Sequence, residues 1–229
     1  MLDQSTPRGR ILDAALKCAA AKRWSDVTLL DIAEGAQLGL ADLRKEELGS
    51  KTAILAALLR AVDDEVLKQA PRRAEGQSAR DQLFDIVMTR FDVLAPYRAA
   101  LRSIHASGAA DLSLARPVLA SMGWMLEAAG IGTDGASGGL RVTGLATIYG
   151  SVFRTWLEDD DPGHARTMAA LDRRLRRGES AIRNVEQVTS VVQRLATDGP
   201  AFLRSVFRRP APPPPPQQPT PPGSEAGLP

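Results

Sequence analysis

The sequence has few of the residues on which secreted, membrane-spanning and catalytic proteins depend. Its 229 residues include one cysteine, Cys18, which excludes a disulfide framework and favours a reducing compartment. Aromatic residues make up only 4% of the chain, and this scarcity favours packed helices over strands. No apolar run approaches the roughly 20 residues that span a bilayer. The N-terminal stretch MLDQSTPRGR has no apolar segment followed by a cleavage site, so we expect no secretory signal and a cytoplasmic protein.

Motifs of catalysis and of metal binding are also missing from the sequence. The two histidines, His105 and His164, have no cysteine, histidine or carboxylate at the spacing of a metal site. There is no G-x-S-x-G, P-loop or G-x-G-x-x-G motif. The acidic run from Glu158 to Asp161 is interpreted as a solvated turn whose last aspartate caps a helix, rather than as a cation site. We therefore expect no enzyme activity, no catalytic residue, no metal and no cofactor.

Apolar residues recur at helical spacing along most of the chain, which predicts an all-α protein. Thr6, Thr28 and Ser78 stand where side chains cap helices, and Asp31 completes a capping box with Thr28. The glycine-rich residues 130–139 predict a loop before a helix over 140–157. The expected organisation has four parts: a three-helix helix-turn-helix unit over 1–49, a helical bundle over 50–197, an amphipathic helix over 198–209 and a disordered proline-rich tail over 210–229.

The candidate helix-turn-helix has an unfavourable charge for binding DNA. Residues 40–48 occupy the position of a recognition helix, and there Glu46 and Glu47 follow Arg44 and Lys45. Residues 1–67 contain 9 basic and 11 acidic side chains, whereas residues 166–229 contain 10 and 5. Because neutralisation of phosphates supplies most non-specific affinity for DNA, this pattern predicts weak binding. If DNA is bound, the candidate contacts are Arg44, Lys45 and Lys51.

The segment before the proline-rich tail has the pattern of a helix that lies on a membrane. Residues 201–209 read AFLRSVFRR, and on a helical wheel the apolar side chains share one arc with arginines beyond its edge. The predicted membrane-binding residues are Phe202, Leu203, Arg204, Val206, Phe207, Arg208 and Arg209. The alternative interpretation is that this segment docks on the bundle as one more core helix.

The arrangement of three helices followed by a helical bundle resembles the TetR regulators, most clearly at ILDAAL and DIAEGA. A closer resemblance is to the TetR-like lipid-binding accessory proteins of ubiquinone (coenzyme Q) biosynthesis. It is found at RILDAAL (10–16), IAEGAQLGL (32–40), TRFDVLAPY (89–97) and ATIYGSVFRTWLEDDDPGHARTMAALDRRL (146–175), and it extends over roughly residues 8–185. The absence of a mitochondrial presequence suggests a bacterial member.

The second resemblance implies a function without catalysis. In that family the bundle holds an isoprenoid quinone lipid, a C-terminal helix touches the membrane, and the lipid is presented to a di-iron quinone hydroxylase. We accordingly expect a homodimer, paired through its last long helices and peripheral on the inner membrane. The apolar faces predict seven lipid-binding residues, with ordinary core packing as the alternative: Met88, Phe91, Met122, Met125, Ile148, Tyr149 and Val152. Two other functions stay open, a DNA-binding repressor that responds to a hydrophobic ligand, and an adaptor that uses residues 210–229.

Overall fold

The computed structural model describes residues 2–108 and 112–178, and these form helices without any strand. The helices are α1 (Pro7–Ala21), α2 (Leu29–Gly35), α3 (Leu40–Lys45), α4 (Lys51–Gln69), α5 (Ala79–Leu94), α6 (Arg98–Ala106), α7 (Ala115–Ala128) and α8 (Gly135–Leu157). A further helix, α9, is described over residues 165–178. The all-α prediction is confirmed. Within the described residues, none of the helices combines the length and the hydropathy needed to cross a membrane.

Side-chain caps fix the starts of several helices where the sequence predicts them. The Thr6 hydroxyl accepts a hydrogen bond from the Gly9 amide at 3.0 Å, and the Ser78 hydroxyl accepts one from the Asp81 amide at 3.1 Å. Thr28 and Asp31 form the predicted capping box, since each side chain accepts a hydrogen bond from the other residue's amide, at 3.1 and 2.7 Å. These bonds satisfy amides that have no partner within the helix.

One hydrophobic core extends from the N-terminal helices into the bundle. α1 packs against α2 and α6, α4 packs against α5 and α7, and α7 packs against α8. The connection between α1 and α2 is also tied to α6. The Trp24 amide donates to the Ser103 hydroxyl at 3.0 Å, and that hydroxyl donates to the Lys22 carbonyl oxygen at 3.1 Å. The N-terminal unit is therefore part of the core that the bundle uses.

Two predicted boundaries are wrong, and the backbone shows the reasons. α8 begins at Gly135, so residues 135–139 are helical and not part of a loop. The chain turns into this helix because Gly135 has a φ of +66° and because Gly138 lies against the Thr133 backbone, where a Cβ would be 2.0 Å away. α3 ends at Lys45 because Glu47 adopts a left-handed φ of 60°, and the Leu48 amide then bonds to the Leu43 carbonyl oxygen at 2.8 Å.

Candidate functional site

The N-terminal unit has the packing of a helix-turn-helix. Ile32 on α2, Leu43 on α3 and Leu48 after α3 are buried, and Gln37 takes a left-handed φ of 55° in the turn between the helices. The outward side of α3 exposes Leu40, Ala41, Arg44 and Lys45. The sequence therefore folds into a helix-turn-helix, in which α3, the helix at the recognition position, has only six residues.

The charge on this unit works against a polyanion. Residues 28–48 contain two basic side chains, Arg44 and Lys45, and five acidic ones. The Lys45 ammonium lies 3.5 Å from the Asp42 carboxylate. Asp42 also accepts a hydrogen bond from the Gly39 amide at 3.0 Å, and this bond lowers the pKa of the carboxyl, which stays charged. Both basic groups are exposed, but acidic neighbours offset the positive potential that they present to phosphates.

Lys51, the third predicted DNA contact, is used inside the fold. Its ammonium donates to the carbonyl oxygens of Trp24 at 2.5 Å, Val27 at 3.0 Å and Ser25 at 3.4 Å. It also lies 4.9 Å from the centre of the Trp24 ring. Lysine has three donors, and these contacts engage all of them. Lys51 therefore fastens the start of α4 to the connection between α1 and α2.

The structure brings the predicted lipid-binding residues together in the bundle. They lie on α5, α7 and α8, and four are fully buried: Phe91, Met122, Met125 and Val152. Met88, Ile148 and Tyr149 are partly buried and pack against the same core. The distances between ring centres are 5.6 Å for Phe91 and Tyr149, and 5.3 Å for Phe91 and Trp156. Phe153 continues the stack, 5.9 Å from Tyr149 and 5.7 Å from Trp156.

A network of buried polar side chains lies among these apolar residues. The Arg90 guanidinium on α5 forms an ion pair with the Asp63 carboxylate on α4, and Ser121 on α7 donates to that carboxylate at 2.7 Å. Through Nε, Arg90 also donates to the Tyr149 hydroxyl on α8 at 3.1 Å. Burial raises the pKa of Tyr149, so this hydroxyl keeps its proton. Four helices thus contribute to one network of charged and polar groups.

A second polar feature lies at Trp156, whose ring contacts both Phe91 and Phe153. Trp156 is fully buried, and its indole Nε1 has no hydrogen-bond partner among the described residues. The Arg98 guanidinium carbon lies 4.6 Å from the centre of the Trp156 ring, and Arg98 Nη1 donates to the Asp159 carbonyl oxygen at 2.7 Å. A buried donor without an acceptor costs free energy, and such groups occur at functional sites.

Four residues of this site were not predicted from the sequence: Asp63, Arg90, Ser121 and Trp156. A signal was present for the ion pair. Asp63 lies one turn from Val66 on the apolar stripe of α4, and Arg90 lies one turn from Val87 on that of α5. Charged residues are seldom fully buried unless they are paired, so opposite charges on two adjacent apolar stripes predict a buried ion pair. Nothing in the sequence indicates that Trp156 Nε1 lacks a partner.

Contrary to the prediction from the sequence, the acidic residues 158–161 do not all face solvent. Asp161 accepts from the Ala165 amide at 3.0 Å and so satisfies the first amide of α9, although the helix begins three residues later than predicted. Asp159, however, is buried and accepts from the Thr167 amide at 2.9 Å and from its hydroxyl at 2.6 Å. In residues 2–108 and 112–178, no group of three or more histidine, cysteine or acidic side chains is placed to hold a metal ion. The predicted membrane-binding residues, 202–209, lie outside the described residues.

Comparisons with known proteins define the fold. No family model matches the chain, and no curated protein matches it. A TetR transcriptional regulator from Nitrosomonas europaea ATCC 19718 is 26% identical, with a TM-score of 0.59 over 75% of this chain and 97% of that one. A TetR transcriptional regulator from Rhodococcus sp. RHA1 is 18% identical, with a TM-score of 0.59 over 77% and 97%. A TetR-family transcriptional regulator from Streptomyces coelicolor is 18% identical, with a TM-score of 0.50 over 88% and 97%.

The chain therefore has a TetR-like fold. All three solved structures are described as transcriptional regulators. This agrees better with the alternative of a ligand-responsive repressor than with a role in ubiquinone biosynthesis. One fold supports many functions, however, so the function has to be argued from the residues of the site.

Proposed function

We propose that this chain is a non-enzymatic lipid-binding protein that serves ubiquinone biosynthesis and holds an isoprenoid quinone or a precursor among α5, α7 and α8. The observation that carries the proposal is the pairing of Arg90 with Tyr149 in a wall of stacked rings. Small-molecule sites are mostly apolar, with a few convergent polar groups that fix the ligand's orientation. This part of the bundle has that composition.

The stacked rings and the donors on Arg90 and Trp156 suit a flat head group with acceptor oxygens. A quinone ring can pack against Tyr149 or Phe153, the two partly buried rings of the stack, and its carbonyl oxygens can accept hydrogen bonds from Arg90 or from Trp156 Nε1. The indole donor has no partner among the described residues, so a ligand oxygen would satisfy it. Met88, Met122 and Met125 offer flexible, polarisable side chains against which an isoprenoid tail can pack.

The charge of the N-terminal unit supports this proposal, because it does not favour contact with DNA. Acidic residues outnumber basic ones on residues 28–48, and Lys51 is engaged with backbone carbonyl oxygens. We infer that the helix-turn-helix is a structural scaffold. The resemblance noted above adds three partners to the proposal: a second copy of the chain, the inner membrane surface contacted by residues 200–209, and a di-iron quinone hydroxylase that receives the lipid.

Native mass spectrometry of the purified protein tests the lipid. We expect a co-purified species with the mass of an isoprenoid quinone or a precursor, released by organic extraction. Trp156→Phe keeps most of the ring stack and removes the indole donor, so it should lower the fraction of protein with bound lipid. Trp124→Phe is the matched control because Trp124 is 58% exposed on α7. Protein that never carries such a lipid, and binds none when it is added, would overturn the proposal.

The second candidate function is a ligand-responsive DNA-binding repressor. The regulators with the same fold favour it, as does the intact helix-turn-helix packing. Fluorescence anisotropy on the DNA upstream of the protein's own gene distinguishes the two. A repressor would bind with a Kd of about 10⁻⁸ M or tighter at physiological salt, and Arg44→Ala would weaken it. Under the proposed function, binding is weak, independent of sequence and unchanged by Arg44→Ala.

A further inference from the structure

The start of α8 has no side-chain cap, a property that it shares with α7. Among the described helices, α1, α2, α4 and α5 each have a threonine or serine side chain that caps the first turn. Asp134, at the same position of α8, makes no side-chain cap, and the first turn contains no acidic residue. Amides at the start of a helix need partners, and an uncapped start frays more readily.

Glycines weaken the N-terminal half of α8, and at two positions no packing contact requires a glycine. A Cβ at Gly138 would collide with the Thr133 backbone at 2.0 Å, so glycine is required there. At Gly139 and Gly144 a Cβ would meet nothing within 4 Å, and alanine would fit. Glycine in a helix interior favours the unfolded chain, because it loses more conformational freedom than alanine when the helix forms. Thr143 adds a hydroxyl bond to the Gly139 carbonyl oxygen at 2.8 Å, a contact that competes with regular helix geometry.

The two halves of α8 are held unequally. In residues 135–147, Leu145 is the large apolar side chain that is fully buried, whereas residues 148–157 bury Val152, Trp156 and Leu157. Other helices also bond to the second half. Arg174 donates to the Ser151 hydroxyl at 2.6 Å, and Arg102 donates to the Leu157 carbonyl oxygen at 2.6 Å. Local opening starts where buried apolar contacts are few.

From this contrast we infer that residues 135–147, the α8 lid, open away from α7 while residues 148–157 stay packed. Because α7 packs against α8, opening would uncover part of the face of α7 that α8 covers and give a ligand access to the apolar residues there. This inference rests on the proposed function for the identity of the ligand. It assigns the N-terminal half of α8 as the route by which the lipid enters and leaves.

Hydrogen exchange followed by mass spectrometry on the full chain tests the opening. Amides of residues 139–147 should exchange at least tenfold faster than those of 151–157. Gly139→Ala with Gly144→Ala should slow the lid about 25-fold, because each replacement favours the helix by about fivefold. Gly150→Ala is the matched control, since it lies in the packed half of the same helix and its Cβ also meets nothing within 4 Å. The control should leave exchange in the lid unchanged within twofold.

Stopped-flow quenching of tryptophan fluorescence by decylubiquinone tests the route. The double variant should slow association and dissociation by the same factor, about 25-fold, and leave Kd nearly unchanged, because the closed and bound states are both helical. Lid amides that exchange as slowly as those of 151–157 would overturn the inference, and so would slower exchange with an unchanged association rate. If the unmodified protein binds no quinone, the proposed function fails, and the exchange rates alone decide whether the lid opens.

Discussion

The ammonium of Lys51 lies 4.9 Å from the centre of the Trp24 ring and donates to the Trp24 carbonyl oxygen at 2.5 Å. Trp24 is almost fully buried and joins α1 to the loop before α2. The ammonium group of Lys51 therefore contacts both the indole ring and the backbone of Trp24. This arrangement gives Lys51 a role in stability at a position where the sequence alone suggests a phosphate contact.

Replacement of Lys51 by methionine should lower the free energy of unfolding by about 2–3 kcal/mol, since it removes charge-assisted hydrogen bonds and the contact with the ring. Urea denaturation followed by circular dichroism measures the loss. Lys45→Met, on the exposed side of α3, should change stability by no more than about 0.5 kcal/mol. A Lys51→Met protein of normal stability that had lost tight binding to DNA would favour the repressor instead.

The second prediction concerns the buried ion pair of Arg90 and Asp63. Arg90→Met leaves the Asp63 carboxylate buried without its charged partner, and this should cost about 3–5 kcal/mol of stability. Adding Asp63→Leu to the same protein should recover part of the loss, because the unpaired charge is then gone. A double-mutant cycle from urea unfolding measures the coupling. Lys17→Met breaks an ion pair with Asp13 in which the lysine is exposed, and it serves as the control, with an expected change much smaller than that of Arg90→Met.

Asp159 should make the stability of the protein depend on pH in the acid range. Burial raises the pKa of this carboxyl, but the hydrogen bonds from Thr167 and from the Asp161 amide, together with the nearby His164, outweigh burial and leave the pKa below its usual value. A group with a lowered pKa in the folded state stabilises the protein fully above the pKa of the unfolded chain, about 4, and loses that contribution as the pH falls.

Thr167→Val tests this contribution, since it removes the hydroxyl donor and keeps the shape of a fully buried side chain. The variant should lose about 1–2 kcal/mol at pH 7 and less at pH 3, where the parent protein has lost part of the same contribution. Urea unfolding at both pH values measures the two differences. Thr143→Val, on the exposed side of α8, should show no such dependence on pH. Equal losses for Thr167→Val at the two pH values would contradict the assignment.

Co-sedimentation with vesicles tests the membrane segment predicted from the sequence. The full chain should bind vesicles that contain anionic lipid, and high salt should weaken that binding. Phe202→Asp with Phe207→Asp should abolish it, because the apolar arc can no longer enter the interface. Leu30→Asp with Leu40→Asp makes the same chemical change at two residues that are about half exposed in the N-terminal unit. If the first pair sediments like the parent, or unfolds the bundle, the segment is a docked helix.

Local rules predict much of this fold. The caps at Thr6, Thr28 and Ser78 depend on residues three positions away, and apolar spacing identifies each long helix. The start of α8 could not be predicted in this way. Five consecutive residues containing three glycines, 135–139, resemble a loop, and the close approach of Gly138 to the Thr133 backbone is not visible in the apolar spacing.

The candidate site could likewise be predicted from the sequence only in part. Apolar spacing identifies Phe91, Met122, Met125 and Val152 as buried, which they are, but it does not distinguish a ligand wall from ordinary core. The role of Lys51 depends on carbonyl oxygens 24 to 27 positions earlier in the chain. Contacts at that separation follow from tertiary structure, so a local pattern does not contain them.

The packing of α1 against α6 has a consequence for how the chain can change in evolution. The N-terminal helices cannot be deleted, because α6 would then expose the apolar face that α1 covers. A change of charge at the exposed Arg44 or Lys45 leaves the core intact, whereas loss of the buried Leu43 or Leu48 would leave a cavity in it. Selection for a folded bundle is therefore enough to preserve the helix-turn-helix packing, whether or not the chain binds DNA.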